Sequence, residues 1–287
     1  MNRVIVSVLV LITQVAAQDP IVSATDGSTP TRFVSGNWGV DFSNAYFFRG
    51  LLQENRGVIA QPHLELGYDL GGGESVHDVA FTMGTWNSLH DDDNGSGAGS
   101  QSMWYESDFY AAFSAGIGER WSAAVIYTAY HSSNGKFGTY QEVAFSLGYD
   151  DTGWLSDTFS LQPSIVLAVE TRGQADGGEQ LGTYGQVAIE PLFACGPCCG
   201  LDLSLALPVT VGFSLGGYYE GLNGDTALGF VDIGAVLSSP LPFMPSRLGP
   251  WDASLGVHAL FLGDSNAALN GNDDLAWVFS FSLSTSF

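Results

Sequence analysis

The stretch Tyr130-His131-Ser132-Ser133-Asn134-Gly135-Lys136 sets a histidine two residues from a serine. A serine hydroxyl is a weak nucleophile until a base takes its proton, and imidazole is the side chain suited to that task near neutral pH. His131 and Ser133 are therefore candidates for hydrolysis, with a third group needed to orient the ring. The same string is also good turn chemistry, because Ser, Asn and Gly bond their own backbone and tolerate left-handed conformations. A second cluster, Asp91, Asp92, Asp93 and Asn94, precedes Gly95. A calcium loop of the EF-hand type centred on that glycine needs acids at its first and twelfth positions, which here are His90 and Gln101. The spacing fails, leaving a solvated acidic loop. A third stretch, Cys195-Gly196-Pro197-Cys198-Cys199, has the C-x-x-C spacing of dithiol redox sites. That chemistry needs a helix N-terminus to stabilise a thiolate. An alternating strand follows instead, so Cys195, Cys198 and Cys199 read as disulfide candidates in a tight turn. The histidines at 63, 77, 90, 131 and 258 share no metal-ligand spacing, and no cofactor or metal is expected.

The chain around these clusters is unusual in composition. Of 287 residues, 13% are charged and 45% hydrophobic, against about 25% charged in an ordinary soluble domain. The formal charge of −22 argues against nucleic acid and against anionic membrane surfaces as partners. Residues 1–17 carry Arg3, an apolar run from Val4 to Ile12, and Val15-Ala16-Ala17 before Gln18, the pattern of a secretory signal peptide. Its removal would leave 7 basic residues against 30 acidic ones. No other apolar run approaches the roughly 18 residues of a helical membrane span. The sequence thus divides into a signal peptide (1–17), a short N-terminal segment (18–32) and one domain (33–287).

That domain is patterned with a period of two. Leu201, Leu203, Leu205, Leu207, Val209, Val211, Phe213 and Leu215 share one parity; Asp202, Ser204, Ala206, Thr210, Gly212 and Ser214 share the other. Such alternation is a β-strand with one apolar and one polar face. About twelve such segments begin near Phe33, Val58, Val76, Met103, Trp121, Thr139, Thr158, Gly182, Leu201, Thr226, Trp251 and Asp274. An even number of antiparallel strands of this length, joined by alternating long and short connections, predicts an all-β fold: a transmembrane antiparallel up-and-down β-barrel of about 12 strands. Trp121, Trp154 and Trp251 fall at one set of strand ends and Trp86, Trp104 and Trp277 at the other, as two interfacial girdles require. Phe287 ends the chain on the apolar face, similar to the C-terminal signal by which outer-membrane barrels are recognised for assembly. The expected surroundings are outer-membrane lipid.

In such a barrel the polar parity faces the lumen. Glu65, Asp69, Glu106, Asp108, Glu142, Glu170, Glu190, Asp232 and Asp252 would line the pore, with Arg49 as a counter-charge. A wall of carboxylates attracts cations and repels anions. The expected function is a porin-like channel for small hydrophilic solutes, cation-preferring and not an enzyme. A closed structural or surface-binding barrel is the alternative.

Two resemblances bear on this. His131-x-Ser133-Asn134-Gly135 followed by Lys136 resembles the active-site stretch of outer-membrane phospholipase A, a twelve-stranded barrel, which implies a hydrolase using His131 and Ser133. Parity makes Gln141 the orienting residue, but the segment after Lys136 lacks that family's pattern. The stretches Ser35 to Gln53, Gln61 to Leu70, Thr82 to Ser88 and Trp104 to Tyr130 resemble the TorF-type putative porins. Those chains open with a strand ending in Phe-Arg-Gly with a nearby Gln, matched by Phe48, Arg49, Gly50 and Gln53, and continue with a Gly-x-Trp strand, matched by Gly84 and Trp86. This resemblance covers about the first half of the chain and implies an outer-membrane barrel.

Overall fold

The computed structural model describes residues 14–15, 33–91, 103–154, 156, 159–198, 200–221, 224–245, 247 and 249–287. Of the expected signal peptide and N-terminal segment, only Gln14–Val15 are described; they run antiparallel beside Phe47–Phe48. The aspartates at 92 and 93 and the rest of their loop lie outside the described residues, as does Cys199.

Twelve strands close into one ring. They are β1 (Val34–Ser43), β2 (Ile59–Gly71), β3 (Val76–His90), β4 (Trp104–Ile117), β5 (Trp121–His131), β6 (Tyr140–Tyr149), β7 (Ser164–Arg172), β8 (Thr183–Ile189), β9 (Val209–Gly216), β10 (Leu228–Pro240), β11 (Trp251–Leu262) and β12 (Leu275–Ser286). Each pairs antiparallel with its neighbours in sequence, and β12 pairs with β1 from Asn37↔Ser286 to Ser43↔Ser280. Phe287 completes the seam, exchanging backbone hydrogen bonds with Gly36 at 2.9 and 3.0 Å. The chain is a closed up-and-down barrel, and its strands match the twelve segments read from the alternation.

Side-chain direction follows the parity. Phe109, Phe113, Val125, Phe145, Ile165, Ile233, Leu255, Phe279 and Phe281 all face outward and exposed, whereas Asp108, Thr128, Glu142, Gln186, Asp232, His258, Ser280 and Ser282 face inward and buried. A soluble barrel would show the reverse. This is the surface of a transmembrane barrel, in which lipid covers the apolar face and the closed ladder satisfies the backbone. Among the described residues no helix is long and apolar enough to cross a membrane. The aromatic ends are filled as expected at Trp104, Trp121, Trp154 and Trp277, all exposed. Trp86 is a correction: it is buried and points into the lumen, its ring 5.4 Å from that of Tyr46.

One side of the wall is kinked. β7, β8 and β9 each continue past a break, as Phe159–Ser160, Leu192–Cys198 and Leu201–Ala206. The breaks hold Pro163, Pro191 and Pro208, which cannot donate to a ladder. Their carbonyls still accept, from Tyr149, Leu207 and Gly234 respectively, at 3.0, 2.9 and 2.8 Å, so the ring stays closed. Beyond the kink, Cys195 and Cys198 lie exposed on the hairpin that the sequence marks as a disulfide candidate.

Because Phe279 projects outward from the middle of β12, Phe279→Arg would place a charge against lipid. The expected loss is about 2–4 kcal/mol near the midplane, measured by reversible unfolding in phospholipid vesicles.

Candidate functional site

The inward faces do not leave the barrel empty. Between β1 and β2 the chain turns into the lumen as a hairpin, Tyr46–Phe48 paired with Leu51–Glu54. Asn44 makes the departure feasible. Its side-chain amide donates to the Trp277 carbonyl at 3.1 Å and its oxygen accepts from the Phe279 N–H at 2.6 Å, replacing the ladder where β1 leaves β12. The turn residues Arg49 and Gly50 both have positive φ, 49° and 81°. A two-residue turn with positive φ at both positions matches the twist of the flanking strands. Glycine adopts this conformation freely, whereas for arginine it is uncommon and is held by surrounding contacts.

Those contacts are dense. The Arg49 guanidinium donates to both oxygens of Glu142, Nη1 to Oε2 at 2.9 Å and Nη2 to Oε1 at 2.7 Å, and Nη1 also reaches the Tyr218 hydroxyl at 2.7 Å. Its Cζ lies 4.1 Å from the Tyr184 ring centroid, with the rings of Phe48 and Tyr218 at 5.1 and 5.2 Å. Tyr130 donates to Glu142 Oε1 at 3.0 Å. A bidentate fork with aromatic faces is the geometry that a planar guanidinium favours. Arg49 is 0% exposed.

The rest of the hairpin is tied to the wall in the same manner. Tyr46 donates to Glu106 at 2.8 Å, and Tyr105 donates to Gln53 at 2.7 Å. The Arg49 carbonyl accepts from Tyr219 and from Asn266 of a short helix α1 (Asp264–Leu269). Asn270, just after α1, donates to the Gly50 carbonyl and accepts from the Leu52 N–H, both at 2.9 Å. The hairpin therefore contacts β4, β6, β8, the segment after β9 and the end of α1. It crosses the lumen at the end of the barrel away from Phe287, and Tyr46, Phe47, Phe48 and Leu51 are all buried there.

The sequence-predicted residues distribute around this plug. Glu106, Asp108 and Glu142 are buried beside it with Arg49. Glu170 is buried but accepts from the Ala175 and Gly182 N–H groups, so it orders the connection after β7. Glu65, lower in the lumen, accepts from Tyr110 at 2.9 Å. Asp232 pairs with His258 at 2.9 Å. Glu190 and Asp252 are half-buried, and Asp69 is exposed, accepting from the Gly71 N–H at the end of β2. Sequence reasoning missed the hairpin and its tyrosine partners. The available signal was two β-prone triplets flanking Arg49-Gly50, and tyrosines at 130, 140 and 184 on the polar parity of their strands.

The hydrolase arrangement does not form. His131 bonds Thr139 Oγ1 at 3.0 Å, and no described contact joins it to Ser133 or Gln141. Ser132, between them, bonds the Tyr105 carbonyl and Asn134 and closes the turn by accepting from the Lys136 N–H. A second serine–histidine pair, Ser88 Oγ to His90 Nε2 at 2.8 Å, lies inside the barrel beside Glu54. Its His90–Glu54 separation of 3.9 Å is too long for a hydrogen bond, and Ser88 is fully enclosed. It is a packed polar contact under the hairpin's return strand.

No protein-family model matches the chain, and no curated protein resembles it significantly; the TorF-type name thus rests on the short stretches alone. Among solved structures, the chain is similar to the NanC porin (11% identity, 88% of this chain and 98% of that one, TM-score 0.46). It is also similar to the COG4313 outer membrane channel from Pseudomonas putida F1 (10% identity, 92% and 100%, TM-score 0.49). A third is the β-domain of the Bordetella autotransporter BrkA (12% identity, 88% and 98%, TM-score 0.43). These likenesses concern the fold, which the strand pairing of this chain establishes by itself.

Removing one member of the buried pair leaves an uncompensated charge or an unmet site. Glu142→Gln should weaken hairpin docking by about 3–5 kcal/mol. Hydrogen exchange would then quicken across residues 46–54 while the ring strands keep their protection, and replacing both Arg49 and Glu142 by Met should recover much of the loss.

Proposed function

We propose that this chain is exported, inserts into an outer membrane, and forms a channel for small hydrophilic solutes that favours cations, with the lumenal hairpin as its closed gate. The observation that carries the selectivity is the charge of the inner wall. Asp41, Glu65, Glu106, Asp108, Glu142 and Asp232 all sit on inward positions of the strands. Among the described residues Arg49 is the one buried Lys or Arg, and Glu142 already neutralises it. A cation entering this lumen meets net negative potential and an anion is repelled.

The gating role follows from how the hairpin is attached. It shares no ladder with any of the twelve ring strands. Its bonds to the wall are made chiefly by side chains, so it can withdraw without breaking the ring. The ring's own closure, from β1 to β12, does not pass through it. A gate of this kind opens by shifting between two discrete placements of one segment.

Replacing residues 46–54 with a short Gly-Ser linker should raise single-channel conductance several-fold in planar bilayers. Under a salt gradient the reversal potential should take the sign of a cation-selective pore. A barrel that stays silent with the hairpin removed would instead be a closed structural one.

A further inference from the structure

We propose that the cage around Arg49 is the channel's recognition site for a guanidinium-bearing solute, and that Arg49 is an internal stand-in for that solute; this rests on the channel reading above. The cage belongs almost wholly to the wall. Glu142 comes from β6, Tyr130 from β5, Tyr184 from β8 and Tyr218 from the segment after β9, with only Phe48 supplied by the hairpin itself. If the hairpin withdraws, the carboxylate and the tyrosines remain in place, shaped for a planar cation.

How the guanidinium is read supports a free ligand. All three hydrogen bonds go to the two terminal nitrogens. The third nitrogen, Nε, is buried and has no partner. The site thus grips the tip of the group, the end that a solute would present, and ignores the edge nearest the polypeptide. The backbone adds a second indication. A turn with positive φ at both positions favours Gly, Asn or Asp at the first, yet Arg49 stands there at φ 49°. The turn does not call for arginine; the cage does.

The chemistry selects the class. A carboxylate that takes two parallel N–H bonds matches a guanidinium fork, while an ammonium offers a compact point charge and a metal ion gains little from aromatic faces. A solute can bias the gate only through different affinity for its two states. Here the difference is direct: the cage is filled by Arg49 when the hairpin is docked and free to bind solute when it is not. Guanidinium solutes therefore compete with the gate and hold it open, and Glu142 is spared the cost of an uncompensated buried charge in both states.

The test uses the full chain in planar bilayers, with L-arginine or L-lysine added at constant ionic strength and sodium as the current carrier. In the wild type, arginine should change open probability at a concentration at least tenfold below that required of lysine. Arg49→Ala, which removes the internal competitor, should shift the arginine response to lower concentration, and Glu142→Gln should abolish the difference between the two amino acids. Heat-modifiable migration in gels checks that each variant has folded. Sodium currents that respond equally to arginine and lysine, in the wild type and in Arg49→Ala alike, overturn the proposal while leaving the channel intact. Absence of any sodium current, even after replacement of the hairpin, overturns the channel reading and this proposal with it.

Discussion

Every feature of this molecule depends on the closure of its backbone ladder. A strand facing lipid has no water to satisfy its N–H and C=O groups, so a sheet in that setting must have no edge. Twelve strands meet this condition by pairing β12 with β1 along seven residues, with Phe287 and Gly36 finishing the seam. The constraint explains the tolerance as well as the order of the wall. Three prolines interrupt three adjacent strands, but each keeps its own carbonyl bonded to a neighbouring N–H. It also explains why Asn44 is needed where β1 leaves the sheet: its amide occupies the two ladder positions that the departing backbone vacates.

Closure creates an interior that must be filled, bridged or hydrated, and this chain fills its far end with its own first connection. The hairpin carries three aromatics and an arginine into a region whose walls bear Glu106, Asp108 and Glu142. Burying a guanidinium is costly unless its charge and its donors are both met. The bidentate pair with Glu142 meets the charge, and the rings of Tyr184, Tyr218 and Phe48 supply attraction on the remaining faces. The strained φ at Arg49 is tolerated because the hairpin's contacts hold it from several sides. The plug is held to the wall by many separate side-chain bonds and shares no ladder with any ring strand, so the closure of the ring does not depend on it.

The polar residues that suggested catalysis are used structurally. His131 and Ser133 share a parity in the sequence, yet the turn between them is organised by Ser132, which is buried and bonded three ways. The acidic residues sort by depth. Asp69 stabilises an exposed turn, Glu170 orders a connection, Asp232 is matched by His258, and Glu106, Asp108 and Glu142 lie buried beside the hairpin.

The alternation of apolar and polar residues by itself determined the strand count, the inward and outward faces and the barrel class, because parity is a local property that a single strand already displays. Lumenal placement of Glu65, Glu106, Asp108, Glu142 and Asp232 was legible for the same reason. The tertiary structure alone decided that Phe48-Arg49-Gly50 turns into the lumen instead of ending a strand, that Trp86 faces inward, and that Arg49 meets a carboxylate 93 residues away. Those outcomes depend on which side chains the closed ring brings together across its interior. Closure is a property of the whole sheet, and no window of sequence contains it.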